Sequence, residues 1–314
     1  MEVAALYADP KQWPVFSAET FPTENHRPID PILKAVEELL PHGIRVVTTT
    51  WGALGSSRGG TSSISRIIHE KFKIPTVVHF IVQAKTKRDI EALLRGLHLD
   101  GLHNILALRG DPPHGVPDHV PRALRHNHAS QLVEQIVHLN RGLWMDADGR
   151  YTRQGVQTNF GIGVAGFPET HPEDWRPEQP LEANLKRNIE HLRRKIDAGA
   201  QYVVEQMTFD ADLHFRFVRA ARAAGIEIPI IPGILAFERY PQATRFVGQE
   251  HNISMPQHLA DALQRASEDK QAEIATAHMA QQVQKLLDGG VPGIHFYCMN
   301  RSGPTIDLLK RVKY

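Results

Sequence analysis

Polar residues that could do chemistry recur at the ends of short apolar runs in this chain. Glu19 follows Val15-Phe16-Ser17-Ala18, Thr48-Thr49-Thr50 close a second run, and His79 sits inside Val77-Val78-His79-Phe80. A fourth run ends in Leu108-Arg109-Gly110-Asp111-Pro112-Pro113, and a fifth in Gly166-Phe167-Pro168-Glu169-Thr170-His171-Pro172-Glu173. Glu205-Gln206 and His295-Phe296-Tyr297, with Asn300-Arg301 behind, complete the set. Taken singly, most have an ordinary explanation. A glutamate after an apolar strand is most often solvated, a histidine among apolar residues is more often a hydrogen-bonded core residue than a ligand, and a glutamine can merely satisfy backbone groups. The Arg109-Gly110-Asp111 turn says more: Gly110 lets backbone approach a ligand, Arg109 offers a forked donor suited to phosphate, and Pro112-Pro113 stiffen the exit. Trp51-Gly52-Ala53-Leu54-Gly55-Ser56-Ser57 is glycine-rich. It lacks both the lysine of a phosphate-binding loop and the spacing of a dinucleotide fingerprint, so it carries no independent phosphate-binding role.

The elements that must position these groups follow from periodicity. β-branched and apolar runs alternate with longer amphipathic segments, the pattern of a parallel sheet with crossover helices. The runs are Pro14 to Glu19, Ile44 to Trp51, Thr76 to Val82, Asn104 to Gly110, Phe160 to Phe167, Gln201 to Met207, Ile228 to Ile234 and Gly293 to Met299. Helix-like stretches lie between them at Pro31 to Leu40, Thr61 to Lys71, Lys87 to Leu97, Ala129 to Asn140, Leu181 to Ala198 and Asp212 to Ala224, and Gly199 and Gly225 stop two of these just before a strand. Eight units predict an α/β fold, one (β/α)8 TIM barrel spanning residues 1–314 as a single domain. Residues 141–159 read as an inserted loop, and 257–287 as a helical excursion with little apolar content from Gln264 to Gln271. Active sites of such barrels lie at the C-terminal strand ends, which would gather the polar groups around one mouth.

Composition narrows the function classes. Thirty-six basic and 35 acidic residues give a formal charge of +1 across 314 residues, with no electrostatic footprint for nucleic acid. The 18 histidines do not cluster, and the single cysteine, Cys298, can build neither a disulfide framework nor a cysteine-ligated metal site. Residues 1–12 carry no export signal, and apolar residues nowhere run long enough to span a bilayer. A cytoplasmic enzyme acting on small molecules is expected, with no membrane, nucleic-acid or metal requirement; self-association is left open.

Five stretches then resemble one family in order: Leu106-Ala107-Leu108-Arg109-Gly110-Asp111-Pro112-Pro113, Gly163 through Glu173, Lys195-Ile196-Asp197-Ala198-Gly199-Ala200, Ile230-Ile231-Pro232-Gly233-Ile234, and His295-Phe296-Tyr297 with Asn300-Arg301. Together they resemble the 5,10-methylenetetrahydrofolate reductases, of the short bacterial FAD-dependent type. The resemblance implies a flavoprotein oxidoreductase of one-carbon metabolism, serving methionine biosynthesis. It would bind FAD and pass hydride in ping-pong fashion from NADH or NADPH to a reduced folate. It implies that Glu19 is the general acid toward the folate N10 and that Asp111 acts beside flavin and pterin. Thr50, His79, Arg109, Gly110, Asp111, Ala129, Phe167, His171 and Lys195 would contact FAD, with Arg109 and Lys195 on its pyrophosphate. Gln206, Tyr240, Tyr297 and Arg301 would contact folate. This chain departs from the family at Ala18 and Thr20 beside the acid, at Trp51 and Leu54, and at Phe167, His128, Asn188 and His191. A folate-dependent methyltransferase or demethylase, or a flavin-free reductase on the same barrel, is the alternative. By length alone, the regulatory domain of larger relatives is not expected.

Overall fold

The apolar runs form strands within a residue or two of the expected bounds. The computed structural model describes residues 2–24, 26–51, 60–110, 120–248 and 251–314. Asp111, Pro112 and Pro113, and the glycine-rich 52–57 stretch, lie outside the described residues. The barrel strands are β1 (Val15–Thr20), β2 (Ile44–Thr49), β3 (Thr76–Ile81) and β4 (Asn104–Leu108), followed after a hairpin by β7 (Gly161–Gly166), β8 (Tyr202–Thr208), β9 (Ile230–Leu235) and β10 (Gly293–Tyr297). They close in the order β1-β10-β9-β8-β7-β4-β3-β2, every neighbour parallel. The predicted eight-stranded TIM barrel is the observed fold.

Helices α2 (Asp30–Leu39), α3 (Thr61–Phe72), α4 (Lys87–Leu99), α5 (Ala129–Asn140), α6 (Leu181–Asp197) and α7 (Ala211–Ala223) ring the barrel at the predicted places. Short helices α8 (Tyr240–Thr244) and α11 (Ser302–Leu309) follow β9 and β10. The 257–287 stretch is two helices, α9 (Gln257–Arg265) and α10 (Glu268–Asp288). Ala275, Met279, Val283 and Leu286 of α10 are buried in the core, so α10 is the crossover helix between β9 and β10. The polar Gln264 to Gln271 portion is the joint between them, where Gln271 donates to the carbonyls of Leu263 and Ala266 that end α9.

Residues 141–159 hold a two-stranded antiparallel hairpin, β5 (Leu143–Met145) and β6 (Tyr151–Gln154). Its turn is built on Asp146, whose carboxylate accepts from the backbone of Asp148 and Arg150 and from the Thr152 hydroxyl. Arg88 and Glu91 of α4 fasten the hairpin by bonding its backbone.

Among the short elements that escaped periodicity, one is a helix of only six residues. Helix α1 (Val3–Ala8) lies across the N-terminal end of the barrel, where Val3, Ala4, Leu6 and Tyr7 pack with Val15, Val46, Val77, Leu106, Tyr202, Val204 and Ile231. These residues form the apolar lower layer of the barrel interior. Alternation along each strand sets what lies above them: Val15, Ser17 and Glu19 share the inner face of β1, while Phe16 and Ala18 belong to the outer core. Among the described residues, no helix is long and apolar enough to cross a membrane.

Gly163 of β7 makes room for this layer. A Cβ there would lie 2.4 to 2.5 Å from ring carbons of the fully buried Tyr202, which itself packs 5.3 Å from the Tyr7 ring. We predict that Gly163→Ala lowers stability by about 1–3 kcal/mol. An unchanged urea midpoint would contradict this packing.

Candidate functional site

Glu19 ends the inner face of β1 and is 4% exposed. Two imidazoles face one of its oxygens: Nε2 of His79 lies 3.6 Å from Oε2, and Nε2 of His295 lies 3.7 Å away. His295 is held from behind. Its Nδ1 is 2.9 Å from Ser17 Oγ, which accepts at 3.1 Å from the Tyr7 hydroxyl. A serine that accepts from Tyr7 still has its own proton to donate to Nδ1, and in that arrangement the imidazole proton sits on Nε2, toward Glu19. His79 differs: burial pulls it down to about 4, with Glu19 opposing and His295 assisting, so it is neutral at pH 7.

Tyr297 stands two residues beyond His295 on the same strand face, the rings edge-on with centroids 4.8 Å apart. Its hydroxyl donates to the Glu205 carbonyl at 2.9 Å, and burial, with Glu19 and Glu205 nearby, raises it well above the ordinary phenol range. The register of β8 shifts between Val204 and Met207, which bulges the strand where Gln206 sits. Gln206 accepts the Met207 N–H through Oε1 at 2.9 Å, so its amide orientation is set by its own strand. Gly233 on β9 permits this bulge, since a Cβ there would meet the Glu205 carbonyl oxygen at 2.4 Å.

A second group gathers at the rim. Arg109 follows β4 and forks onto Glu173 with bonds of 2.5 and 2.8 Å. Gly110 has φ +87°, and a Cβ there would lie 2.9 Å from that of Ile81. Lys195 of α6 donates to the Ala165 carbonyl at 2.9 Å and lies 5.9 Å from the centre of the Phe167 ring; burial pulls its ammonium down to about 8. Phe167 packs edge-on against His171, with centroids 4.7 Å apart. The His171 imidazole is held below its ordinary range by burial and then by Arg109. Asn188 donates to the Phe167 carbonyl at 2.5 Å, and His191 pairs with Asp174 at 2.9 Å. Ala129 is buried at the start of α5.

Thr50 Oγ1 and His79 Nε2 are buried without a hydrogen-bond partner among the described residues. Such donors and acceptors suit the polar edge of a bound ring, and the cationic rim suits its phosphates.

Tyr240 and Arg301 take partners of their own on the segments after β9 and β10. The Tyr240 hydroxyl accepts from Gln264 at 2.6 Å, and Arg301 pairs with Glu238. Beside Arg301, Asn300 bonds both the N–H and the carbonyl of Phe21 at 2.8 Å, which ties the β10 exit to the β1 exit.

Ser17 and Tyr7 join the site beyond the residues singled out from sequence, while His295 and Glu173, picked out at strand ends without a role, acquire their partners here. A period of two from Glu19 and Tyr297 leads to Ser17 and His295. Nothing local signals Tyr7 or the Arg109 partnership of Glu173.

The family model for methylenetetrahydrofolate reductase matches residues 5–313. The chain is 31% identical over 311 residues to methylenetetrahydrofolate reductase 1 of Schizosaccharomyces pombe, covering 98% of this chain and 47% of that protein. It is 27% identical over 290 residues to 5,10-methylenetetrahydrofolate reductase of Escherichia coli, covering 91% and 86%. It thus spans about half the length of the yeast relative and most of the bacterial one. Among solved structures, an uncharacterized protein from Clostridium thermocellum that binds two copies of 5-methyl-5,6,7,8-tetrahydrofolic acid shares the fold. Its TM-score is 0.63 at 13% identity, over 95% of this chain and 93% of that one.

The state of His79 sets a pH dependence. Its folded pKa of about 4 lies below the ordinary 6.5, so the unfolded chain takes up the proton first as pH falls. The stability tied to neutral His79 is therefore present above about pH 6.5 and lost toward pH 4. In urea titrations at several pH values, His79→Asn should remove about 1 kcal/mol per pH unit from that slope between about pH 6 and 5. Parallel slopes for parent and variant would show that His79 is not held neutral.

Proposed function

The chain belongs to the methylenetetrahydrofolate reductase family, and from that premise we propose that it reduces 5,10-methylenetetrahydrofolate to 5-methyltetrahydrofolate, using NADH or NADPH and a bound FAD. The observation that carries this reading is the buried Glu19 between His79 and His295. Opening the methylene bridge of the folate calls for a proton at N10, and a carboxyl group inside a barrel mouth is suited to deliver it away from water. His295 faces the carboxylate left behind with its Nε2, and the Ser17 and Tyr7 hydroxyls behind it are placed to support the tautomer that carries the proton there. His79, neutral at pH 7, adds a polar wall without competing for the proton.

When bound, FAD supplies the hydride chemistry, taking from the nicotinamide and giving to the folate in alternate half-reactions. The residues suited to hold it are Thr50 and His79 along the ring edge, Arg109, His171 and Lys195 at the phosphates, and Gly110, Ala129 and Phe167 as close-approach or apolar surfaces. Asp111 is assigned, by family resemblance, the charge that tunes the flavin and orients the pterin. Gln206, with Oε1 occupied by its own strand, has its amide N–H groups left as donors to a pterin. Tyr297 would line the same face. Arg301 and Tyr240, on the segments after β10 and β9, suit the benzoylglutamate part of the folate, whose carboxylates would compete with Glu238 for Arg301.

The visible spectrum of the purified protein is the first test. An oxidised-flavin band supports the flavin reading; a colourless protein that FAD cannot reconstitute removes it. The role of the acid is tested separately. Glu19→Gln should leave bleaching of the flavin by NADH or NADPH nearly intact while slowing folate reduction by roughly 10²-fold or more. Equal loss in both half-reactions would show that Glu19 does not serve as the proton donor.

A further inference from the structure

Arg109 already holds an anion that belongs to the chain. Glu173 meets its guanidinium through two bonds of 2.5 and 2.8 Å, the fork-to-fork geometry in which arginine also takes phosphate. The loop after β7 is built to deliver this carboxylate. Backbone N–H groups of Asp174 and Trp175 close onto the His171 carbonyl at 2.9 and 3.0 Å, and the Glu173 N–H donates to His171 Nδ1 at 3.2 Å. One turn therefore carries both an imidazole and a carboxylate to the same rim.

The surroundings are strongly cationic. Arg109 and Lys195 act on His171, while Arg109, Arg122 and Arg194 act on His128. Among the described residues, two carboxylates sit within this group: Asp174 is paired with His191, and Glu173 with Arg109. The Arg109 and Glu173 side chains are 31% and 57% exposed, so water can replace either partner and the pair opens at little cost.

We propose that Glu173 is an internal substitute for the cofactor's diphosphate, occupying Arg109 until FAD displaces it and so setting the affinity for FAD. This rests on the reading that the mouth binds FAD. Two roles for the pair make opposite predictions. A carboxylate that competes for Arg109 weakens FAD binding, whereas one that merely aims the guanidinium strengthens it.

Titration of flavin-free protein, followed by quenching of flavin fluorescence, separates them. Glu173→Gln should bind FAD roughly three- to tenfold tighter than the parent, the scale of removing an exposed competing charge. Riboflavin, which has the ring but no phosphate, should bind both proteins equally. Inorganic pyrophosphate, competing with FAD, should show an inhibition constant lowered by about the same factor in the variant. Equal or weaker FAD binding by the variant overturns the proposal while leaving the flavin reading intact, as does equal tightening toward riboflavin. A parent protein that binds neither FAD nor riboflavin overturns the flavin reading itself, and the proposal with it. Because Glu173 lies on the surface, the variant is expected to fold; an unchanged far-ultraviolet spectrum and Tm check this.

Discussion

A carboxylate placed inside a closed parallel barrel must be given partners that water would otherwise supply. Glu19 is that carboxylate, and much of the interior is arranged around it. The two imidazoles beside it come from strands on either side of β1 in the ring, β10 next to it and β3 one strand beyond β2. Closure of the barrel is therefore what brings them together. An open sheet with the same strands would leave Glu19 at a solvated edge with His79 and His295 at opposite distances along it.

The interior changes character from bottom to top. Apolar side chains and the two tyrosines fill the lower layer, the Ser17 and His295 layer is polar but fully buried, and the charged groups come last. Helix α1 contributes to two of these layers. Its apolar side chains close the lower end, and its Tyr7 hydroxyl reaches Ser17 from beneath. A short segment outside the βα repeat is thus joined by hydrogen bonds through Ser17 to His295, whose other ring nitrogen faces the central carboxylate at 3.7 Å. The rim is organised differently, by exposed charge pairs between loops that can exchange partners at little cost.

Much of the architecture was legible in the sequence because strands and helices of a barrel have distinct periods. The run Val77-Val78-His79-Phe80 and the stop at Gly199 before Tyr202 are local signals, and the observed bounds follow them closely. Short elements were not legible: six residues of α1 and the three- and four-residue strands of the hairpin are too few to display a period. The Gln264 to Gln271 joint illustrates a different difficulty. Its glutamines look like an exposed surface, yet Gln271 spends its amide on backbone groups of two helices. At the mouth, strand ends pointed to Glu19, His79 and Tyr297, since alternation and the barrel rule act within one strand. Pairs such as Arg109 with Glu173, or Tyr7 with Ser17, depend on how separate segments meet in space, and residue spacing alone does not encode that.

The chain's single thiol sits on the seam where the last barrel strand meets the first. Cys298 donates from Sγ to the Glu19 carbonyl at 2.9 Å, and burial pushes it up to about 12. Since the thiolate is the reactive form, an alkylating reagent meets an inert group while the barrel is shut. The thiol becomes reactive when the seam parts and the hydrogen bond is lost. Its labelling rate thus acts as a built-in clock for the opening of the β1–β10 join, recorded by one atom beside the central carboxylate, with no introduced probe.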